Sequence, residues 1–290
     1  MSIFEGLEKL GLDGFDDQAL YAEEGKEAPP PPPKKEAPKP PPKLDNEKDF
    51  LFDKKYVCPI CAREFTSKTV RTGKVHTERI DYDLRPVYDT VDQVKYEVIA
   101  CPNCGYAALI RYHEKSTDKQ LALVREAISS RFKALEWGKE IYTYDEAKLR
   151  YQLAIANAVA RKAKPSEKGY LCLKSAWVIR GETDRLKADG ADPAKIAENE
   201  AAEKKLLGQA LDGFEQARQT ENYPIAGMDE KTLDYVMCAL YLSQDRFKDC
   251  QRFLGAILIN QHISANLRSK AQDLKTRLDE RMKEVKAAGA

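Results

Sequence analysis

Cys58-Pro-Ile-Cys61 and Cys101-Pro-Asn-Cys104 are the two stretches that decide the fold of this chain. Each Cys-x-x-Cys turn directs two sulfur atoms to one point, and two such turns complete a tetrahedron around a metal ion. The prolines fix φ in each turn, and Gly105 allows a left-handed backbone after the last cysteine, where the first turn has Ala62. The sequence therefore predicts one metal site formed by Cys58, Cys61, Cys101 and Cys104.

The metal predicted for this site is structural Zn²⁺. Four thiolates leave no open coordination position, so the ion would fold the surrounding module and not act as a Lewis acid. Two alternatives stay open, namely iron, which rubredoxin-like turns also bind, and a thiol–disulfide pair. Three other cysteines are interpreted as small buried hydrophobes: Cys172, Cys238 and Cys250.

The segment between the cysteine pairs predicts a small antiparallel sheet that holds the two metal turns together. Short runs of β-branched and aromatic residues occur within 70–80 and 96–99. Residues 50–114 are therefore assigned to a zinc-ribbon-like β module. His76 lies in this module, but four sulfur atoms already suffice, so it is interpreted as a surface residue.

Helical periodicity begins near Asp118. A core-facing stripe is expected at Leu121, Val124, Ile128, Phe132 and Leu135. Three later segments repeat a large–small–large–small pattern: Tyr144, Ala147, Tyr151, Ala154; Leu207, Ala210, Phe214, Ala217; and Phe247, Cys250, Leu254, Ile257. A small residue at that place lets two helices approach closely, which is typical of tetratricopeptide hairpins. Residues 115–290 are predicted to form a tetratricopeptide-like domain of antiparallel helical hairpins, so the fold class is α+β and mainly α.

The N-terminal part of the chain predicts a leader without globular structure. Residues 28–43 read APPPPPKKEAPKPPPK, so 28–49 are interpreted as a disordered proline-rich linker. Residues 1–27 carry eight acidic and two basic side chains among apolar ones. They are interpreted as a short acidic amphipathic peptide that docks on a protein surface, with a frayed terminus as the equal alternative.

Charge and hydropathy limit the partners. The 48 basic and 47 acidic residues nearly cancel, which gives no global attraction to nucleic acid or to an anionic membrane. The chain starts without a basic and apolar signal segment, and no later stretch is apolar over the length of a bilayer. We therefore expect a cytoplasmic protein without a membrane partner, which also suits free thiols.

A further group of residues gives a family resemblance. Besides the two cysteine pairs it comprises Phe65, Arg71, Lys74, Asp81, Asp83, Pro86, Tyr88, Tyr96, Val98, Gly105, Tyr106, Ala107, Ala176, Trp177 and Arg180. In these residues, over about 50–260, the chain resembles the uncharacterised bacterial family called domain of unknown function 2225. The resemblance implies a zinc ribbon followed by tetratricopeptide-like helices, and it implies no activity.

The leading functional hypothesis is a non-enzymatic intracellular adaptor or scaffold that binds a protein or peptide partner through its helical surface. The alternative is RNA or DNA binding by the basic face of the zinc module, with Arg71, Lys74 and Arg79 as contacts. The chain contains no phosphate-binding loop, zinc-protease motif or nucleophile elbow, so we predict neither an enzyme nor a small-molecule substrate. Asp81 and Asp83 are expected to pair with neighbouring arginines.

Overall fold

The computed structural model describes residues 10–11 and 47–288. The predictions for the rest of the leader, 1–9 and 12–46, lie outside the described residues. A 3-10 helix at Glu47–Phe50 precedes three two-stranded antiparallel hairpins. Their strands are β1 (Leu51–Val57) with β2 (Glu64–Val70), β3 (Thr77–Ile80) with β4 (Pro86–Tyr88), and β5 (Val98–Ala100) with β6 (Ala107–Leu109).

The single sheet expected between the cysteine pairs is wrong, because the strands form three separate hairpins. The segment 70–80 is not one strand, since a 3-10 turn at Thr72–Lys74 interrupts it. Each cysteine pair instead lies in a hairpin loop, between β1 and β2 or between β5 and β6. Pairing the flanks of each short loop costs the least chain entropy, so each hairpin closes locally.

The helices are α1 (Asp118–Val124), α2 (Tyr144–Ala160), α3 (Pro165–Ala188), α4 (Pro193–Thr220), α5 (Glu230–Ser243), α6 (Phe247–Ile259) and α7 (Ala265–Ala288). Capping boxes built on Thr117 and Thr143 start α1 and α2, where each hydroxyl accepts from a backbone N–H of the first turn. Prolines at 165 and 193 open α3 and α4, at a position where the missing N–H has no helical partner.

The first apolar stripe is only partly helical. After α1 the chain makes a π-helical turn at Arg125–Ser129, and 132–143 contain no helix. Val124 and Ile128 are buried, whereas Leu135 lies beyond the helix and donates its N–H to the carbonyl of Pro102 at 3.1 Å. The helical extension to Leu135 was wrong because the Leu135 N–H bonds to the hairpin that carries Cys101 and Cys104 and not to the preceding helical turn.

The later helices pack as antiparallel hairpins, α3 with α4 and α5 with α6. The repeated large–small pattern falls on α2, α4 and α6, and its small residues are buried: Ala147, Ala154, Ala210, Ala217 and Cys250. The hairpin of α3 and α4 is long because the polar stretch 182–205 is helical on both sides of a short loop. The likeness to tetratricopeptide repeats itself stays a prediction.

One hydrophobic core joins the cysteine hairpins to the helices. Cys101, Ile99 and Tyr106 belong to the same buried cluster as Tyr151 and Leu153 of α2. A smaller cluster packs Leu51, Val70, Val75, Val91, Tyr96 and Tyr142 together. Within the described part of the chain, no helix combines the length and the apolarity that crossing a membrane requires.

Candidate metal centre

The four predicted cysteines converge on one point. Their sulfur atoms all lie within 4.8 Å of one another. Two contacts cross between the hairpins: Cys58 Sγ to Cys104 Sγ is 3.4 Å, and Cys61 Sγ to Cys101 Sγ is 3.8 Å. A tetrahedral ion with metal–sulfur bonds of about 2.3 Å separates its ligands by about 3.8 Å, so this cluster can hold a metal ion.

The protonation of the thiols also favours a cation at this point. A hydrogen bond with Cys101 raises the pKa of Cys58 to about 12. Hydrogen bonds from Cys104 and Cys58 lower the pKa of Cys101, whose thiolate accepts them. One thiolate is favoured at the expense of its neighbours, so a bound cation would be needed to keep all four cysteines deprotonated at this spacing.

The first knuckle, residues 58–63, is a tight turn at the edge of the molecule. The N–H of Ala62 donates to the carbonyl of Cys58 at 2.9 Å, and the N–H of Cys58 donates to the carbonyl of Arg63 at 3.1 Å. Ala62 has a φ of +56°, the left-handed region in which glycine is easiest. The departure from glycine noted in the sequence therefore places mild backbone strain in this turn.

The second knuckle, residues 101–106, has the same backbone pattern in a buried setting. The N–H of Gly105 donates to the carbonyl of Cys101 at 3.2 Å, and Gly105 has a φ of +72°. A Cβ atom at Gly105 would collide with the ring of Phe132. Glycine is thus required here twice, for its left-handed backbone and for the close approach of an aromatic ring.

Side chains from the helical region fix the second knuckle. Asn157 of α2, fully buried, donates to the carbonyls of Gly105 at 2.9 Å and Leu153 at 2.8 Å. The indole of Trp137 donates to the carbonyl of Ala100 at 3.0 Å. These contacts satisfy backbone oxygens that burial would otherwise leave unpaired.

Arg150 of α2 ties the helix to two of the hairpins. Its guanidinium is fully buried and donates to Ser67 Oγ on β2 at 2.9 Å and to the carbonyl of Val98 on β5 at 2.6 Å. The group also lies against the rings of Tyr142 and Trp137, with its central carbon 4.1 Å and 4.9 Å from the two ring centroids. Burial lowers the pKa of Arg150, and the aromatic faces offset part of that cost.

The β3–β4 hairpin is attached through a buried ionic network. Arg180 of α3 donates to Asp83 with both terminal nitrogens, at 2.9 and 2.7 Å, and the Trp177 indole donates to the same carboxylate at 2.9 Å. Burial alone would raise the pKa of Asp83, but the charge and hydrogen bonds of Arg180 outweigh it, so that pKa is lowered. Asp81 contacts Arg79 and Arg85, as expected for a structural pair.

The candidate nucleic-acid contacts lie on two elements. Arg71 precedes the 3-10 turn after β2, and Lys74 is the last residue of that turn. Both are exposed, and Arg71 also donates to the carbonyl of Leu51 at 3.2 Å. Arg79 lies on β3, where it contacts Asp81 at 3.4 Å and Asp184 at 4.0 Å, so acidic groups offset its charge. Their role stays a prediction.

His76 is exposed and outside the cysteine cluster, as the sequence predicted.

No direct signal in the sequence pointed to the residues that support the cysteine cluster. Asn157 and Arg150 lie among the buried alanines and aromatics of α2. A polar residue in such a position was the one feature of the sequence that indicated a supporting role. Their contacts join residues 52 positions apart, which no local pattern reveals.

Comparison with known proteins gives a family and no individual relative. No curated protein and no solved structure matches the chain. The family described as an uncharacterized protein conserved in bacteria (DUF2225) matches residues 51–278, which include the cysteine cluster and most of the helices. The chain therefore belongs to the DUF2225 family.

Proposed function

We propose that this protein is a non-enzymatic cytoplasmic adaptor, whose four cysteines hold structural Zn²⁺ and whose helical hairpins bind a protein or peptide partner. The observation that carries the proposal is the place of the four-thiolate cluster within the main core. Cys101 is fully buried, beside a knuckle that α2 holds in place. A metal with a complete ligand set in such surroundings stabilises a fold and does not reach a substrate.

Zinc is favoured among the metals because it accepts four thiolates in a tetrahedron without a redox change. Iron is the alternative, since paired knuckles also hold it in rubredoxin-like sites. Metal analysis of the purified full chain, by plasma mass spectrometry and visible absorption, separates the two. We expect one equivalent of zinc and no visible band. One equivalent of iron with thiolate-to-iron absorption would replace the zinc assignment.

A groove of about 290 Å³ supports partner binding by the helical region. It opens where α4, α5 and α7 meet the turn between β3 and β4, and it is lined by Tyr82, Lys204, Leu242, Ser243, Asp245, Arg277, Glu280, Arg281 and Glu284. Arg277 is exposed, and its guanidinium carbon lies 5.6 Å from the centroid of the Tyr82 ring. Arginine and tyrosine are enriched among residues that dominate binding energy at protein interfaces.

A matched pair of variants tests the adaptor role. The full chain is used to capture partners from nuclease-treated lysate, beside Arg277→Glu and the control Lys275→Glu. Both variants reverse one exposed charge on α7, but two residues along a helix place a side chain on a different face. We expect a discrete protein that wild type and Lys275→Glu retain and that Arg277→Glu loses.

Two results would contradict the adaptor proposal. If Arg277→Glu retains the same protein, the groove is excluded as the surface that binds it. Capture that disappears on nuclease treatment, and that weakens in Arg71→Glu or Lys74→Glu, would favour nucleic-acid binding by the metal-bearing region. Log affinity would then fall linearly with the logarithm of salt concentration.

A further inference from the structure

Among the described residues, nothing pairs with one edge of strand β1, its free edge. β1 pairs with β2 on its other edge, and within 47–288 no third strand joins this hairpin. The carbonyl of Phe50 accepts from the N–H of Arg71 at 2.8 Å, and the N–H of Cys58 donates to the carbonyl of Arg63 at 3.1 Å. These bonds lie at both ends of the ladder. They show that the even-numbered residues of β1 exchange the ladder hydrogen bonds with β2.

The odd-numbered residues of β1 therefore direct their N–H and C=O groups away from β2. The carbonyl of Leu51 is taken by the Arg71 side chain. The other outward-facing residues of β1 are Asp53, Lys55 and Val57. Within 47–288, no side chain or backbone group bonds their main-chain polar atoms. All three residues are exposed, Val57 to 57 %. An extended segment added beside β1 would meet a row of unpaired backbone donors and acceptors.

The charge along this edge favours an acidic occupant. Lys54, Lys55 and Arg63 are exposed, and no carboxylate of the described chain pairs with them. Asp53 is already paired with Lys68 at 2.9 Å. Adjacent lysines repel a second copy of the same strand, which is how natural edges avoid self-association. Lys55 attracts a strand that carries glutamate or aspartate at alternating positions, because alternate side chains of an added strand lie on one face of the sheet.

We propose that the free edge of β1, residues 53–57, binds an extended acidic segment of a partner protein by β-strand addition. Main-chain hydrogen bonds to Asp53, Lys55 and Val57 supply the register, and Lys55 selects the acidic side chains that lie on its face of the sheet. This site rests on the proposed adaptor function and adds a second surface to it, distinct from the groove beside Arg277. Such a surface fits a partner with an unpaired acidic strand or tail.

The test measures amide exchange residue by residue in the metal-loaded full chain. The probe is the blocked peptide Val-Glu-Val-Glu-Val-Glu-Val-Glu, and the matched peptide has lysine in place of glutamate. At saturation with the acidic probe, we expect the amides of Asp53, Lys55 and Val57 to exchange at least about tenfold more slowly, because each gains a hydrogen bond. The inward amides of Phe52 and Lys54 should change little.

Two variants separate strand addition from simple charge attraction. Lys55→Pro removes one outward N–H without touching the ladder, a change that edge strands tolerate. Lys55→Ala removes the same charge and keeps the N–H. We expect Lys55→Ala to bind the acidic probe less tightly and with weaker salt dependence. In Lys55→Pro, we expect the probe to leave the amides of Asp53 and Val57 unprotected. Equal binding by Lys55→Pro, equal protection by the lysine probe, or no protection by either probe would overturn the proposal.

Failure here is distinguishable from failure of the adaptor function. If the probe leaves β1 unprotected while Arg277→Glu still loses its captured protein, the adaptor role stands and the β1 site falls. If a thymidine oligonucleotide protects the β1 amides and the acidic peptide does not, the edge serves nucleic acid and the proposal is wrong.

Discussion

The two knuckles have the same local design and opposite surroundings. Each is a Cys-Pro-x-Cys turn closed by an N–H that donates back to the carbonyl of its first cysteine, and each ends in a residue of positive φ. Beyond the metal cluster, exposed side chains hold the first knuckle: Arg125 donates to the carbonyl of Ile60, and Arg63 donates to Asn103, both at 3.3 Å. Asn157, which is buried on α2, and the half-buried Trp137 of the segment before α2 hold the second.

This difference teaches that one metal site can join a fixed half to a less fixed half. The second knuckle is part of the core that α2 builds. The first knuckle should depend more on a bound metal, because exposed hydrogen bonds and long side chains contribute little by themselves. The two halves should therefore respond differently to loss of the metal and to changes in the turns.

Removing the metal should have the largest effect. Structural zinc contributes about 10 kcal/mol or more of binding free energy at pH 7, and it binds the folded state. After chelation with EDTA, we expect the amides of Cys58 and Ala62 to exchange at least about 100-fold faster, whereas those of Cys101 and Gly105 change much less. Residue-resolved hydrogen exchange measures both.

A zinc-supplemented sample carried through the same chelation procedure is the control for buffer effects. Equal acceleration at both knuckles would contradict the comparison and would mean that the second knuckle is no better supported than the first.

Gly105→Ala should have the next largest effect, a loss of about 2 to 5 kcal/mol in the free energy of unfolding. A left-handed residue with a Cβ costs about 1 to 2 kcal/mol, and displacing the Phe132 ring adds an overpacking cost of about 1 to 3 kcal/mol. Denaturant unfolding of the metal-loaded protein measures it. Adding Phe132→Ala should remove the overpacking cost. If the double variant is destabilised by as much as the two single variants together, the contact between residue 105 and the Phe132 ring is ruled out.

Asn157→Ala should destabilise by about 1 to 3 kcal/mol, because it leaves the buried carbonyl of Gly105 without its donor. Gln152→Ala truncates an amide on the same helix that makes no hydrogen bond to the described residues, so it should cost less than about 0.5 kcal/mol. Chemical denaturation compares the two. If both variants lower the free energy of unfolding equally, the contact of Asn157 with the second knuckle does not contribute to stability.

Ala62→Gly should have the smallest effect and the opposite sign. Relief of the left-handed alanine, less the extra backbone entropy of glycine, should stabilise the metal-loaded protein by about 0.5 to 1 kcal/mol. The melting temperature by calorimetry measures it. A lower melting temperature would show that the Ala62 methyl group makes a contact worth more than the strain it causes.

Part of the fold and of the candidate site could be predicted from the sequence. The four cysteines, the positive φ at Gly105 and the apolar stripes of the late helices are local features, so spacing and residue type predicted them. The positive φ at Ala62 was not predicted, because alanine does not favour that conformation. The single sheet was wrong, because pairing of strand flanks depends on which loops close, and periodicity does not report this. The helix through Leu135 was wrong because that backbone hydrogen-bonds to the second knuckle.

By itself the sequence determined that two cysteine turns and a set of amphipathic helices exist in this protein, because cysteine spacing and hydrophobic period act over a few residues. The tertiary structure alone decided that α2 holds the second knuckle, that Arg180 and Asp83 join a hairpin to the helices, and that one edge of β1 pairs with none of the described residues. Those outcomes depend on contacts between residues tens of positions apart, whose hydrogen bonds and burial no local pattern encodes.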